Sequence, residues 1–313
     1  MDLVADVLEI SGVRGTIGTR TEAGGDWSVS VAGCAVAVVH VVTAGNAWLD
    51  LPGSSPRRRE LAAGDVVLMP GGPAHVLSSG PGAGTSVADP EMVSRGFGSG
   101  EVIRLGSQPA DTRIVTIGYD CDHTVHTQIL GTLPEVVHIR GDDGADGFDD
   151  TVRMLGRELS HPQLAGRAVL NSLVDVLLVQ LVRAWLPTRS EPHGTWLGVL
   201  ADPLVHKAME QLHAEPALPW TTTRLAHALG VSRATLSRRF VAAVGQTPAA
   251  YLTQWRLDLA AVRLRGSRDP VESVATAVGY QSVPAFSRAF ARSRGMTPGR
   301  YRTAARDDGR LSA

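Results

Sequence analysis

Two patterns of apolar positions divide the chain. Up to about residue 140, short Val-rich runs lie between Gly, Pro and Ser turns: Ser28–Val31, Val36–Thr43, Ala47–Leu51 and Asp65–Met69. Runs of this length and composition predict strands. Several of them at this spacing predict a sandwich or barrel. The acidic, Gly-rich stretch GDDGADGFDD at 141–150 predicts a surface loop. From Thr151 the period lengthens to three or four residues, which predicts helices at Thr151–Leu159 and Leu164–Leu186. In the longer one, Leu170, Leu173, Val174, Leu177, Leu181 and Trp185 spread round more than half the helix. Such a helix must be buried on more than one side. The second side is met either by its own domain or by a second subunit.

Polar and turn-forming residues return at 187–195 (PTRSEPHGT), which predicts a linker. Asp202-Pro203 then predicts the capped start of a helix over Pro203–Ala214. Beyond Trp220 one pattern occurs twice, as LAHALGVSRATLSRRFVAAVGQTPAAY (Leu225–Tyr251) and VATAVGYQSVPAFSRAFARSRGMTPGRY (Val274–Tyr301). Each copy has a short apolar helix ending in Gly (Gly230, Gly279) and a Ser that caps a second helix (Ser232, Ser282). Each second helix carries Ser-Arg-x-Phe, and each copy closes on Gly-x-Thr-Pro-x-x-Tyr. These are two helix–turn–helix units in tandem, at about 222–244 and 271–294. Leu236 and Phe240 are four apart, as are Phe286 and Phe290, so each pair occupies a buried face. The opposite faces carry Arg233, Thr235, Ser237, Arg238 and Arg239 in the first copy. In the second they carry Gln281, Ser282, Val283, Ser287, Arg288 and Arg292. Arg, Ser, Thr and Gln are the residues that reach base edges and phosphates in a major groove. Between the copies, Pro248–Arg265 predicts one continuous helix, a rigid spacer of roughly 27 Å. Asp269-Pro270-Val271-Glu272 predicts the next helix start, with Pro first and an acid three residues after the cap.

This repeat resembles the DNA-binding domain of AraC/XylS-type transcription regulators, and GYQSVPAFSRAFARSRGMTPGRYR is close to that family's signature. The resemblance covers about the last third of the chain. Val283 and Pro284 depart from it, standing where other members often place polar readers. Gly64 to His75 similarly resembles the second motif of cupin barrels, G-x5-P-x-G-x2-H. The first cupin motif is missing: only His40 stands in its region, and no Glu follows before Glu60.

Charge follows the same division. The net charge of −1 hides 16 basic and 8 acidic residues from Trp196 to Ala313, a net of +8, against −9 in the remainder. A basic C-terminal half suits nucleic acid, and an acidic N-terminal half does not. A hydrophobic content of 43% is that of a globular protein. The N-terminus lacks the basic stretch of a signal peptide, and no apolar run looks long enough to span a bilayer. The expected location is therefore the cytoplasm, with no membrane partner. Cys34 and Cys121 do not make a disulfide framework.

The expectation is an α+β two-domain regulator. Residues 1–186 form a cupin-like β-barrel with a helical, dimerising extension; 187–195 link it to an all-α DNA-binding domain at 196–313. The partners implied are double-stranded promoter or operator DNA, a second copy, a small-molecule effector and, for an activator, RNA polymerase. No cofactor and no catalytic residue is assigned. His40 and His75 are the effector-pocket candidates. With Cys121, His123 and His126 they are also the residues able to ligate a metal. A cupin metalloenzyme fused to a DNA-binding module and a constitutive DNA binder with an inert barrel are the competing readings.

Overall fold

The computed structural model describes residues 13–54, 56–83, 100–120, 130, 133–141, 147–161, 163–185 and 202–311, with Leu3, Asp6, Ile10 and Val199. The chain divides into two units. One comprises Arg14–Cys121 and Leu133–Arg189; the other comprises Met1–Val13, Asp122–Thr132 and Ser190–Ala313. The linker expected at 187–195 lies outside the described residues.

The first unit is built on two sheets. A six-stranded sheet runs in the order β10 (Val137–Ile139), β6 (Val66–Met69), β3 (Ala37–Ala44), β9 (Thr112–Asp120), β1 (Arg14–Gly24) and β8 (Glu101–Gly106). A four-stranded sheet runs β2 (Ser28–Val31), β7 (His75–Ser78), β4 (Asn46–Asp50), β5 (Arg58–Ala62). Among the described strands only β1 and β8 pair in parallel. The Val-rich runs lie at the centre: β6 is buried throughout, and β3 is buried from Ala37 to Val42. β-branched side chains fit such doubly covered strands. Trp27, Val29, Val38, Leu49, Leu61, Met69, Leu77 and Ile114 draw both sheets into one core.

Among the described residues two helices cover this unit, α1 (Phe148–Ser160) and α2 (Gly166–Trp185). α2 packs on α1, β1 and β10. At Gly15 of β1 it comes so close that a Cβ would lie 2.0 Å from a Val174 methyl, so only Gly allows the approach. The Tyr119 hydroxyl donates to the Val174 carbonyl at 2.6 Å. The sequence places the start of α2 at Leu164, but Leu164 is fully exposed and the helix begins two residues later, after Ala165 at φ 62°. The expectation that no apolar run could span a bilayer is corrected as well. By length and composition α2 passes that test, with a mean hydropathy of 1.5. One face of it, with Leu173, Val174, Leu177, Leu178, Leu181, Val182 and Trp185, is nevertheless buried within the chain.

The second unit holds seven helices among the described residues: α3 (Pro203–Ala214), α4 (Thr222–Ala228), α5 (Arg233–Val244), α6 (Pro248–Gly266), α7 (Val271–Ala277), α8 (Val283–Arg294) and α9 (Pro298–Leu311). Asp202 caps α3, its carboxylate accepting from the Leu204 and Val205 amides, with Pro203 in the first turn. The start of α7 differs from the sequence reading. Pro270 sits at the cap position, at φ −53°, and no side chain caps the helix. Proline presets φ but brings no oxygen to receive the free amides. α6 is continuous over 19 residues, about 28 Å, and carries the core of the second helix–turn–helix through Leu257, Ala260, Ala261 and Leu264.

Candidate nucleic-acid interface

Each repeat folds as its residues require. In the first, Gly230 ends α4 at φ +67°, and the Ser232 hydroxyl accepts from the Thr235 amide at 3.1 Å. In the second, Gly279 ends α7 at φ +88°, and Ser282 accepts from the Ala285 amide at 3.5 Å. Leu236 and Phe240 fix α5 from below, and Phe286 and Phe290 fix α8; all four are fully buried. The faces opposite are consequently turned outward. Arg233, Arg238, Arg239, Gln281, Ser282, Arg288 and Arg292 are exposed, and Thr235, Ser237, Val283 and Ser287 are half-buried beside them.

The arginines divide by what already holds them. The guanidiniums of Arg233, Arg238 and Arg288 make no hydrogen bond or ion pair among the described residues. Arg239 is engaged: its Nε and Nη2 meet the two Asp202 oxygens at 2.7 and 2.6 Å, tying α5 to the start of α3. Burial works to raise the Asp202 pKa. Arg239 and the two capped amides outweigh it and hold the carboxyl below its usual value. Arg294 is withdrawn entirely, its guanidinium donating to Asp258 of α6 with both side chains fully buried. Gln254 Nε2 donates to the same Asp258 oxygen at 2.7 Å. Arg256 donates to the Pro216 and Leu218 carbonyls at 2.7 Å each, and Arg265 to the Tyr301 hydroxyl at 2.9 Å.

Tyr251 and Trp255 are core residues, as their apolar spacing implies, but they surround a histidine that the periodicity did not mark. The His213 ring stacks on Trp255 with centroids 3.5 Å apart. Tyr251 donates to its Nε2 at 2.6 Å, and its Nδ1 donates to Asp6 at 3.1 Å. Burial, opposed by the Asp6 carboxylate, pushes the imidazole down to about 4.

In the strand-rich unit, His40 and His75 come together. Their Nε2 atoms are 2.7 Å apart in the buried interior. His75 Nδ1 lies 2.7 Å from the Pro73 carbonyl, which only accepts, so His75 carries its proton there and its Nε2 accepts. His40 then donates from Nε2, and its Nδ1 accepts from the Thr116 hydroxyl at 3.0 Å. Both rings are satisfied as neutral imidazoles. Burial, and then the neighbouring His75, hold His40 well below its ordinary value. Burial lowers His75 too, against the Pro73 hydrogen bond. The pair does not fit a cupin metal centre. The two facing nitrogens are spent on each other, and among the described residues no third His, Cys, Asp or Glu joins them. Cys121, His123 and His126 lie outside the described residues. Cys34 is a free, half-buried thiol.

Comparison with known proteins gathers these features. A family model described as Cupin matches residues 2–187, and one described as Helix-turn-helix domain matches residues 225–304. A Streptomyces antibioticus protein described as an AraC-like transcription regulator is 34% identical over 303 residues, covering 96% of this chain and 98% of that one. The HTH-type transcriptional regulator MtrA of Neisseria gonorrhoeae is 31% identical over 308 residues, covering 96% and 98%. Among solved structures, the DNA-binding domain of AdpA in complex with a target DNA is 30% identical, covers 34% of this chain and 96% of that one, and superposes with a TM-score of 0.33.

Proposed function

The chain belongs to the AraC-like transcription regulators, and on that premise we propose that it reads its operator with the outward faces of α5 and α8. It is a DNA-binding transcription regulator with a cupin-type N-terminal domain and a helix–turn–helix C-terminal domain. The observation that carries the assignment is the set of exposed arginines whose guanidiniums have no partner among the described residues, Arg233, Arg238 and Arg288, on two capped helices framed by one rigid α6. Arg238 and Arg288 occupy equivalent positions and are the base readers, since a guanidinium forks onto guanine O6 and N7. Thr235, Ser237, Gln281, Ser282, Val283 and Ser287 complete the reading faces. Arg292 holds phosphate. Arg239 touches the backbone only beside its contact with Asp202. Neighbouring major grooves on one face of DNA lie about 34 Å apart. A spacer of α6's length lets both helices enter them, with bending of the DNA closing the remainder.

The N-terminal domain, residues 1–186, senses a small molecule and is not an enzyme. Its effector pocket is centred on the His40–His75 pair. The exposed Val169 and Val176 on α2 support pairing with a second copy. Regulation requires that the effector favour one arrangement of domains over another, and 187–195 is where that change acts. The protein works in the cytoplasm, and as an activator it contacts RNA polymerase. Selection of genomic fragments by the purified full chain, followed by footprinting at stated salt, tests the reading. The expected result is a protected site of about two helical turns per subunit. Equal retention of all fragments at every salt concentration would refute it.

A further inference from the structure

Outside the interior of the strand-rich unit, a groove of about 560 Å³ opens between α1 and one end of the β3 and β9 strands of the six-stranded sheet. This is the size of a small-molecule site. One face of α1 forms a wall, with Asp149, Arg153, Arg157 and His161 recurring at helical spacing. Arg113 of β9 faces them from the sheet. The opening depends on two local irregularities. The pairing of β3 with β9 slips between Val42 and Ala44, which turns Thr43 into the groove, and bulges of this kind re-aim side chains beside sites. Gly64 and Gly141 meet behind it, so closely that a Cβ on Gly141 would lie 3.0 Å from the Gly64 Cα.

The charges in this groove do not balance. Arg153 is held by Asp150 on its own helix. Asp65, next in the chain to the lining Gly64, is spent on the Ala62 and Gly141 amides and on His138. The Arg113 and Arg157 guanidiniums make no hydrogen bond or ion pair among the described residues. That leaves two uncommitted guanidiniums against one carboxylate, Asp149, among the described residues lining the groove. We propose that this groove binds a small oxyanion, a carboxylate or phosphate group on a molecule of metabolite size, gripped between Arg113 and Arg157. Guanidinium forks match such oxyanions in pairs of hydrogen bonds. The inference rests on the sensing role of the N-terminal domain for its regulatory consequence, and on the groove alone for binding.

The test is calorimetric titration of the full chain with inorganic phosphate and, separately, with citrate. The arginines of the DNA-binding helices also attract phosphate, so the comparison is between two double variants. Arg113→Gln/Arg157→Gln is expected to lose the saturable site, weakening it at least about tenfold, as two charge-assisted contacts are removed. Arg238→Gln/Arg288→Gln is expected to keep it. Thr43→Glu, which sets a competing carboxylate in the groove while leaving both arginines in the chain and gives up only the Thr43 hydroxyl's bond to the Arg113 carbonyl, is expected to match the first variant while retaining the wild-type circular dichroism. Absence of saturable binding to the wild type by both anions, or a loss confined to the Arg238/Arg288 variant, would overturn the proposal. Binding of phosphate but not citrate, or the reverse, supports it and tells the phosphate from the carboxylate source. Operator affinity measured with and without the bound anion separates the two readings: unchanged affinity refutes sensing through this groove and leaves the site standing.

Discussion

The two helix–turn–helix units share a sequence pattern, a cap and a closing motif, yet they are fastened by different carboxylates. In the first, the fastening arginine stands mid-helix: Arg239 reaches Asp202 at the rim of α3, where Arg239 is 43% exposed. In the second, the equivalent position is the buried Ala289, and the fastening falls to Arg294 at the end of α8, paired with Asp258 at 0% exposure for both. Val244 stands where Arg294 does. The first turns differ too, Arg233-Ala234 in one and Val283-Pro284 in the other. One repeat therefore carries a wet, adjustable clamp and a polar reading face. The other carries a dry, fixed clamp and a first turn without hydrogen-bonding side chains. Repetition of a motif conserves the geometry of presentation, while the clamp that holds each copy is chosen locally.

The largest test of this contrast is to break the dry clamp. Arg294→Met leaves the Asp258 carboxylate buried without its guanidinium partner, with Gln254 still donating to it, and is expected to cost about 3–5 kcal/mol in urea unfolding. Asp258→Leu combined with Arg294→Met should recover most of that loss, because a well-packed apolar pair avoids the desolvation of both charges. If the double variant is no more stable than the single, the cost lies in side-chain packing and not in a stranded charge.

Next in size is the difference in reading. Arg238→Ala is expected to remove about 1–3 kcal/mol of discrimination at one part of the operator, measured as the affinity ratio of specific to scrambled DNA by fluorescence anisotropy. Arg292→Ala should weaken both DNAs alike and lower the salt slope by about one. Unchanged affinities for both DNAs in Arg238→Ala would mean that α5 is not a reading helix. A larger loss of discrimination from Arg288→Ala than from Arg238→Ala would reverse the ranking of the two faces.

The presenting geometry of this region was legible in the sequence, because glycine at positive φ, a serine cap and a four-residue apolar spacing are local signals with one structural meaning. α5, α6 and α8 accordingly fall within a residue or two of their expected ends. The clamps were not legible. Asp202–Arg239 spans 37 positions and Asp258–Arg294 spans 36, and nothing in the local pattern of either arginine separates a clamp from a phosphate contact. The same limit applied in the N-terminal domain. The Val-rich runs marked β2, β3, β4 and β6, but β1, although the longest of the described strands, is broken by Gly and Thr and was passed over. His40 and His75 were singled out by type and motif. Only the pairing of β3 with β9, and the turn before β7, aligned their Nε2 atoms and brought Thr116 beside them. The groove beside α1 was invisible, since Arg113 and Arg157 are ordinary surface residues until the β3 slip opens the space between them.

Caps offer a smaller test. Ser232→Ala should cost about 1 kcal/mol, since its hydroxyl receives the Thr235 amide at 3.1 Å. Ser282→Ala should cost less, because the corresponding contact is 3.5 Å and Pro284 in the first turn removes one of the free amides. Equal losses by thermal unfolding would show that Ser282 caps α8 as firmly as Ser232 caps α5.

The wet clamp gives the smallest effect and a pH signature. Arg239→Ala is expected to cost no more than about 1 kcal/mol at pH 7, as for a partly exposed ion pair of good geometry. The Asp202 carboxyl is held below its ordinary value in the folded chain. Its contribution is therefore complete at pH values above the unfolded carboxyl range, near 3.9, and is lost as pH falls through the depressed folded value. The stability gap between wild type and Arg239→Ala, followed by urea unfolding across that range, should be level at neutral pH and close as Asp202 takes up its proton. A gap of several kcal/mol at pH 7 would make this clamp the equal of Asp258–Arg294 and erase the contrast. A small gap accompanied by a loss of operator discrimination as large as that of Arg238→Ala would instead place Arg239 among the readers, released from Asp202 when DNA arrives.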